Sequence, residues 1–238
     1  SKYLVMSITF LIPIFNEVKT VRKAIEETIK LNVTSKEIII IDNNSTDGSK
    51  DIIEEYRNKE NIHIIYQKKN LGFGNSIQDG FLKSSNEFIY IQYGDLEYDI
   101  NASIEMLKLI KKKNLDVVFA SRLKNINNIR DKLKEVFKKP SYLATLFCTF
   151  LINWFYGKNF TDIIGTKLYR KEMIQPIVPK TSGQGFDFEL VSLISKRNLR
   201  VEEVHIKYTP RENSSDKKIK FYHLFNALYA ILITKLKK

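Results

Sequence analysis

The sequence is poor in the residues that build disulfide frameworks and histidine metal sites: of 238 residues, one is cysteine and three are histidine. A lone Cys148 excludes an internal disulfide and fits a reducing compartment. No apolar run reaches the ~18 residues that a membrane-crossing helix needs. The stretch SKYLVMSITFLIPIF has one lysine and no small-residue cleavage site, so no signal peptide is expected. Glycine is scarce too, nine in all, and the first strand is followed by PIFNE rather than by a G-x-G-x-x-G turn. Gly72 and Gly74 come only after the third strand, with Ile77 where a third glycine would stand. A P-loop is also missing. Neither dinucleotide oxidoreduction nor P-loop hydrolysis is expected.

What the chain has in quantity is apolar and basic side chains. Hydrophobic residues make up 43% and charged residues 28%, and 39 Lys and Arg against 27 Asp and Glu give a formal charge of +12. This composition and length predict one α/β domain with a substantial core. The positive balance favours polyanionic partners, either phosphorylated substrates or an anionic membrane surface. Nucleic acid is not expected, because no aromatic-basic module accompanies the charge.

Strand-like runs alternate with helical stripes. Ile8–Ile14 precedes a stripe of Val18, Val21, Ala24, Ile25, Thr28 and Ile29 at helical spacing. Glu37–Asp42 follows, then the loop NNSTDGS, where Ser45 and Asp47 are helix N-cap candidates. His63–Tyr66, a helix from about Gly72, Glu87–Tyr93, the amphipathic Asn101–Lys112 and Leu115–Ala120 continue the series. Strands this continuously apolar need helices on both faces, which predicts an open, mostly parallel, doubly wound sheet. Further on, Leu123–Lys139 is basic and reads as a loop or exposed helix. Ser141–Tyr156 is apolar almost all round but too short to span a bilayer. Val201–Tyr208 reads as a strand and Phe221–Leu236 as an apolar helix ending in KLKK. Without repeats or linkers, a single domain is expected, with halves 1–122 and 123–217 and a C-terminal helix in 218–238.

Such sheets bind ligands at the carboxyl ends of their strands. The polar clusters fall there: Asn16 and Glu17, Asp42, then Asp95 and Glu97. The last two lie in YIQYGDLEYDI, an apolar strand that runs into three acids. Two carboxylates suit a hard divalent cation such as Mg²⁺ or Mn²⁺, with phosphate and water completing its shell. Taken alone, DLEYD would equally pass for a solvated turn.

The motifs IPIFNE (Ile12–Glu17), IIIIDNNSTDGS (Ile38–Ser49), NLGFGNSIQDG (Asn70–Gly80) and DLEYD (Asp95–Asp99) occur in that order. ASR (Ala120–Arg122), TDIIGTKLYRKE (Thr161–Glu172), GFDFEL (Gly185–Leu190) and VEEVHIKYTPR (Val201–Arg211) follow. This ordered set covers most of the chain and resembles the GT-A fold of family 2 glycosyltransferases, which move a sugar from a nucleotide diphosphate donor. The later segments are most similar to the polyprenyl-phosphate branch, typified by dolichyl-phosphate mannose synthase. Of that branch's R-x-x-G-x-S-K pattern, Arg211 and Lys217 keep the cations, while Ser214 and Asp216 replace Gly and Ser. In the family DLEYD resembles D-A-D-L-E, so Tyr93 and Gly94 stand where its first Asp and Ala would be.

The resemblance implies a role for each motif. Pro13, Phe15, Glu17, Asp42 and Tyr93 would form the nucleotide-sugar pocket, Asp42 accepting a hydrogen bond from the base. Asn70, Gly72 and Gly74 would let the backbone approach the nucleotide. Asp95 and Glu97 would hold Mg²⁺ or Mn²⁺. Arg122, Arg211 and Lys217 would grip phosphates, and Asp187 or Glu189 would face the acceptor, although Asp187 equally suits a helix start. The expected reaction is inverting transfer to polyprenyl phosphate, at a cytoplasmic site with a peripheral place on the inner membrane face. Two alternatives stay open: transfer to a glycan hydroxyl in surface polysaccharide synthesis, and a weakened sugar-nucleotide binder, suggested by Tyr93.

Overall fold

Side chains alternate across a strand, so an apolar strand must be covered twice. β1 (Ser7–Ile14) sends Ile8, Phe10, Ile12 and Ile14 to one face and Leu11 to the other. β2 (Ser35–Asp42) divides in the same way, Ile38 and Ile40 against Ile39 and Ile41. On the first face these residues meet the helices Val21–Lys30, Ser49–Glu54 and Ala102–Lys112. On the second they meet Phe73–Lys83, Ser141–Tyr156, Phe186–Lys196 and Phe221–Leu236, through Ile77, Phe81, Cys148, Leu190 and Ile231.

The computed structural model describes residues 7–126, 128, 141–183, 185–206, 208–209 and 221–237. Arg211, Ser214, Asp216, Lys217 and most of Leu123–Lys139 lie outside the described residues. The remaining strands are β3 (Ile62–Tyr66), β4 (Phe88–Ile91), β5 (Val117–Ser121), β6 (Lys167–Arg170) and β7 (Val201–His205). Among the described residues they form a seven-stranded sheet in the order β3-β2-β1-β4-β6-β5-β7. β6 runs antiparallel to both neighbours, and every other pair is parallel.

The expected doubly wound α/β sheet is therefore present, with helices on both faces and a C-terminal helix. Two details differ from expectation. KLYR, four residues inside a motif, is a sheet strand that wedges between β4 and β5. Gly165 makes this possible, since a Cβ there would stand 1.9 Å from the carbonyl oxygen of Ala120. Ser45 does not cap a helix; its hydroxyl binds the neighbouring loop. The Ser49–Glu54 helix starts after Gly48, at φ 96°. Asp47 serves both ends: Oδ1 accepts the N–H of Ser49, the first helical residue, at 2.9 Å, and Oδ2 binds the neighbouring loop.

Candidate active site

The loops leaving β1 and β2 are stitched together by side chains. Ser45 Oγ accepts the Asn16 N–H at 3.0 Å, Ser49 Oγ the Glu17 N–H at 2.9 Å, and Asp47 Oδ2 the Val18 N–H at 2.9 Å. Asn16 returns the bond through Oδ1 to the Thr46 N–H. Partial burial opposes the Asp47 charge, but hydrogen bonds from Ser49 and Val18 outweigh it and keep that carboxyl below its ordinary range. Asn43, buried at the end of β2, extends the stitching: it donates to Asn70 Oδ1 at 3.0 Å and accepts the Leu71 N–H at 2.9 Å. Three strand-end loops are thereby held as one rim.

Below that rim lies a cavity of about 630 Å³. Its lining includes Pro13, Phe15, Glu17, Asn43, Asn70 and Gly72 from the rim loops, and Tyr93, Asp95 and Glu97 from the turn after β4. Arg122, Tyr142, Asp187 and Tyr208 line it as well, together with Cys148, Leu224 and Ala227 from two helices. Aromatic rings form one continuous wall. Phe73 stacks on Tyr93 with centroids 5.5 Å apart, and Tyr93 meets Tyr98, which meets Tyr208. Burial pushes the Tyr93 hydroxyl well up from its usual value, and the charge of Asp187 adds to the effect. The position thus presents a neutral hydroxyl where the resemblance would place an acid.

The DLEYD turn is fixed by its own side chains. Asp95 Oδ1 accepts the Glu97 N–H at 3.2 Å, across Leu96 at a φ of 59°. The Tyr208 hydroxyl donates to Glu97 Oε2 at 2.7 Å, and Glu97 O accepts the Thr209 N–H. Asp95 and Glu97 therefore both face the cavity, from a turn held on two sides.

Arg122 faces the cavity too, but most of its guanidinium is committed. It forms a two-pronged pair with Asp162, Nε at 2.6 Å and Nη2 at 3.0 Å, between the rings of Tyr142 and Tyr208. Burial opposes both charges; each partner more than offsets this for the other, holding Asp162 below and Arg122 above its ordinary value. Lys167 on β6 pairs in turn with Asp187 at 2.8 Å.

Ten of the expected residues line this one cavity: Pro13, Phe15, Glu17, Asn70, Gly72, Tyr93, Asp95, Glu97, Arg122 and Asp187. Asp42 does not. It is buried, and its carboxylate accepts the Ser45 N–H as in an Asx turn. Glu189 is not on the lining either; it accepts the N–H groups of Lys180 and Thr181, clamping the loop before its own helix. Gly74 serves packing, since a Cβ there would stand 2.8 Å from both Phe186 and the Ser182 carbonyl oxygen. Sequence reasoning missed Asn43, Tyr98, Tyr142, Asp162, Lys167 and Tyr208. All but Tyr142 lie within the motifs that carry the resemblance, which gave a local signal without a role for each residue.

Among the described residues no helix is long and apolar enough to cross a membrane. The chain is 25% identical over 225 residues to a dolichyl-phosphate beta-glucosyltransferase of Trichomonas vaginalis, covering 88% of this chain and 68% of that one. It is 29% identical over 181 residues to a cholesterol galactosyltransferase of Borreliella burgdorferi, covering 70% of this chain but only about half, 49%, of the relative. Among solved structures, the mannosyl-3-phosphoglycerate synthase of Rubrobacter xylanophilus superimposes with a TM-score of 0.70 over 98% of this chain and 77% of its own. At 14% identity this likeness shows the fold. The pattern of glycosyl transferase family 2 matches residues 9–178, well over half the sequence and all three loops of the rim, and the chain belongs to that family.

Proposed function

We propose that the cavity binds a nucleotide diphosphate sugar and that the protein transfers the sugar, with inversion, to a polyprenyl phosphate at a membrane surface. The observation that carries the acceptor is the double use of two helices. Tyr142, Thr145 and Cys148 of Ser141–Tyr156, and Leu224 and Ala227 of Phe221–Leu236, line the cavity. The same helices expose Leu143, Phe147, Phe150 and Trp154, and Phe225, Tyr229, Leu232 and Leu236. Both stripes repeat at i, i+4, i+7 and i+11, one face of a helix. Neither helix contains an acid, and Lys235 and Lys237 stand at the end of the second. An apolar face with a basic edge suits an anionic lipid surface, and a lipid-linked acceptor there would meet the cavity directly. Relatives named as dolichyl-phosphate beta-glucosyltransferases, in Trichomonas vaginalis and Dictyostelium discoideum, support this acceptor class.

For the donor, support comes from solved structures of the same fold that hold uridine diphosphate with Mn²⁺, or UDP-GlcNAc. Phe15, Asn43 and Asn70 would receive the nucleoside, and Asp95 and Glu97 lie beside the place of the diphosphate. Among the described residues no group of three His, Cys, Asp or Glu could hold a metal. The chain thus offers two hard oxygen ligands, which fits Mg²⁺ or Mn²⁺ only when diphosphate and water complete the shell. A bound cation would offset the charge developing on the leaving diphosphate. In the transfer, a phosphate oxygen of the acceptor bonds to the anomeric carbon as the bond from that carbon to the donor diphosphate breaks. The acceptor is already an anion, so no proton has to be removed.

A thermal-shift panel of nucleotide sugars, with and without Mn²⁺, tests the donor and the metal together. Labelled donor plus a lipid extract tests the acceptor, the expected product being an acid-labile lipid phosphate sugar. Label on a glycan hydroxyl would instead favour polysaccharide synthesis. Binding without any turnover would reduce the protein to a sugar-nucleotide binder.

A further inference from the structure

Lys167 stands outside the site residues expected from the sequence, and its ammonium group is buried and paired. It is 1% exposed, donates to Asp187 Oδ1 at 2.8 Å and to Gly165 O at 3.1 Å, and lies 5.7 Å from the centre of the Phe119 ring. Two of the ammonium's three N–H bonds thus have oxygen partners, and the group as a whole is buried beside an aromatic ring. Asp187, 15% exposed, does reach the cavity.

The arrangement is built by the wedged strand. Gly165 admits β6 against β5, and the ladder then sets Lys167 opposite Phe119. Tyr169 follows two residues later, on the same face of the strand. Burial holds the hydroxyls of Tyr93 and Tyr169 protonated, and the negative charge of Asp187 adds to this. Around Asp187 there are thus one buried cation and two neutral hydroxyls, while Glu189 on the same helix is turned to Lys180 and Thr181.

We propose that Lys167 is a positioning residue: it fixes Asp187 at the cavity wall, where the carboxylate accepts a hydrogen bond from a hydroxyl of the transferred sugar. The assignment rests on the transferase reading above. One carboxylate oxygen is tied to the ammonium, so the other has a defined direction for a hydroxyl donor. This makes the Lys167–Asp187 pair a determinant of which sugar is accepted.

The test compares Lys167→Met, Asp187→Asn and the double variant, with the nucleotide sugar that stabilises the wild-type protein. Lys167→Met is expected to lower kcat about tenfold or more while nucleoside diphosphate affinity stays within about twofold. The double variant should be no slower than the slower single variant, because the two residues act as a unit. A series of deoxy-sugar donors adds a specificity readout: the deoxy donor that the wild type discriminates against should be tolerated by Lys167→Met. Unchanged kcat in Lys167→Met, additive losses, or retained discrimination overturn the assignment. If Lys167→Met does not fold, the double variant, which has neither charge, is compared with Asp187→Asn; equal rates are expected and a further fall overturns it. A wild-type protein that binds nucleotide sugars but transfers to no acceptor removes the transferase reading, and this assignment with it.

Discussion

The hydroxyl of Tyr208 donates to Glu97 Oε2 at 2.7 Å, tying the acidic turn after β4 to the segment after β7. Their partnership joins residues 111 positions apart, and Tyr98 bridges to the same tyrosine. Glu97 is therefore oriented from outside its own motif. Outer partners of this kind commonly contribute 10–100-fold to metal affinity. Tyr208→Phe is expected to weaken the Mn²⁺-dependent part of nucleotide binding about tenfold, with little effect on binding without metal. Titrating nucleoside diphosphate against the melting temperature, with and without Mn²⁺, measures both. Equal losses in the two series would place the metal away from Glu97.

Asp95 offers a complementary experiment. Asp95→Ala removes one of the two cavity carboxylates on the turn, and with it the bond that Oδ1 accepts from the Glu97 N–H. The metal-dependent increment in melting temperature should vanish, and the metal-independent nucleotide increment should remain. An unaltered metal increment would move the ion elsewhere in the cavity.

The pair between Arg122 and Asp162 governs stability in acid. Asp162 is held below its ordinary value, so its contribution to stability is complete above the unfolded carboxylate range, about pH 4. That contribution is lost as the pH falls through the lowered folded value. Arg122→Met would leave a fully buried carboxylate without its cation, at a cost of about 3–5 kcal/mol near pH 7. The difference between variant and wild type should shrink as the pH falls, because the unpaired buried carboxylate of the variant takes up its proton before the paired one of the wild type does. Urea unfolding at pH 7 and pH 3 checks this; a difference that does not change with pH would refer the loss to packing against Tyr142 and Tyr208.

Cys148 faces the same cavity from the Ser141–Tyr156 helix, and its burial pushes the thiol up to about 11. At pH 8 roughly one thiol in a thousand is then the reactive thiolate. Iodoacetamide should leave the folded protein unmodified over hours and label it promptly in urea. Rapid labelling of the folded protein would mean that this helix opens away from the sheet.

How far these features could be read in advance depended on whether their cause was local. The parallel sheet was legible because strand alternation and helical spacing act over a few residues, and the rim motifs because they sit at strand ends. β6 was not: four residues make a strand only because Gly165 admits them beside Ala120. Arg122 was recognised as a cavity residue, but its commitment to Asp162 comes from 40 positions away. Motif position alone offers Glu189, as the alternative to Asp187, and Gly74 to the ligand; in space Glu189 clamps Lys180 and Thr181, and Gly74 packs against Ser182 and Phe186. Pairing across long separations decided those cases.

The membrane proposal has a built-in reporter, since Trp154 is the chain's only tryptophan and is 70% exposed on the outer stripe of its helix. In water such an indole emits at long wavelength. Transfer into the headgroup boundary should shift its emission to the blue, as apolar area is buried and the basic edge meets anionic lipid. Vesicles containing phosphatidylglycerol should produce the shift, and pure phosphatidylcholine much less of it. Phe150, one turn away on the same stripe, contributes apolar area without touching the cavity. Phe150→Ser should therefore weaken vesicle binding about tenfold or more, at roughly 1.5–3 kcal/mol for a fully inserted large apolar side chain, and leave nucleotide binding unchanged. Salt should weaken the electrostatic share and spare the apolar one. An emission maximum indifferent to anionic vesicles would mean that this face is covered by protein, and the acceptor would then have to reach the cavity from solution.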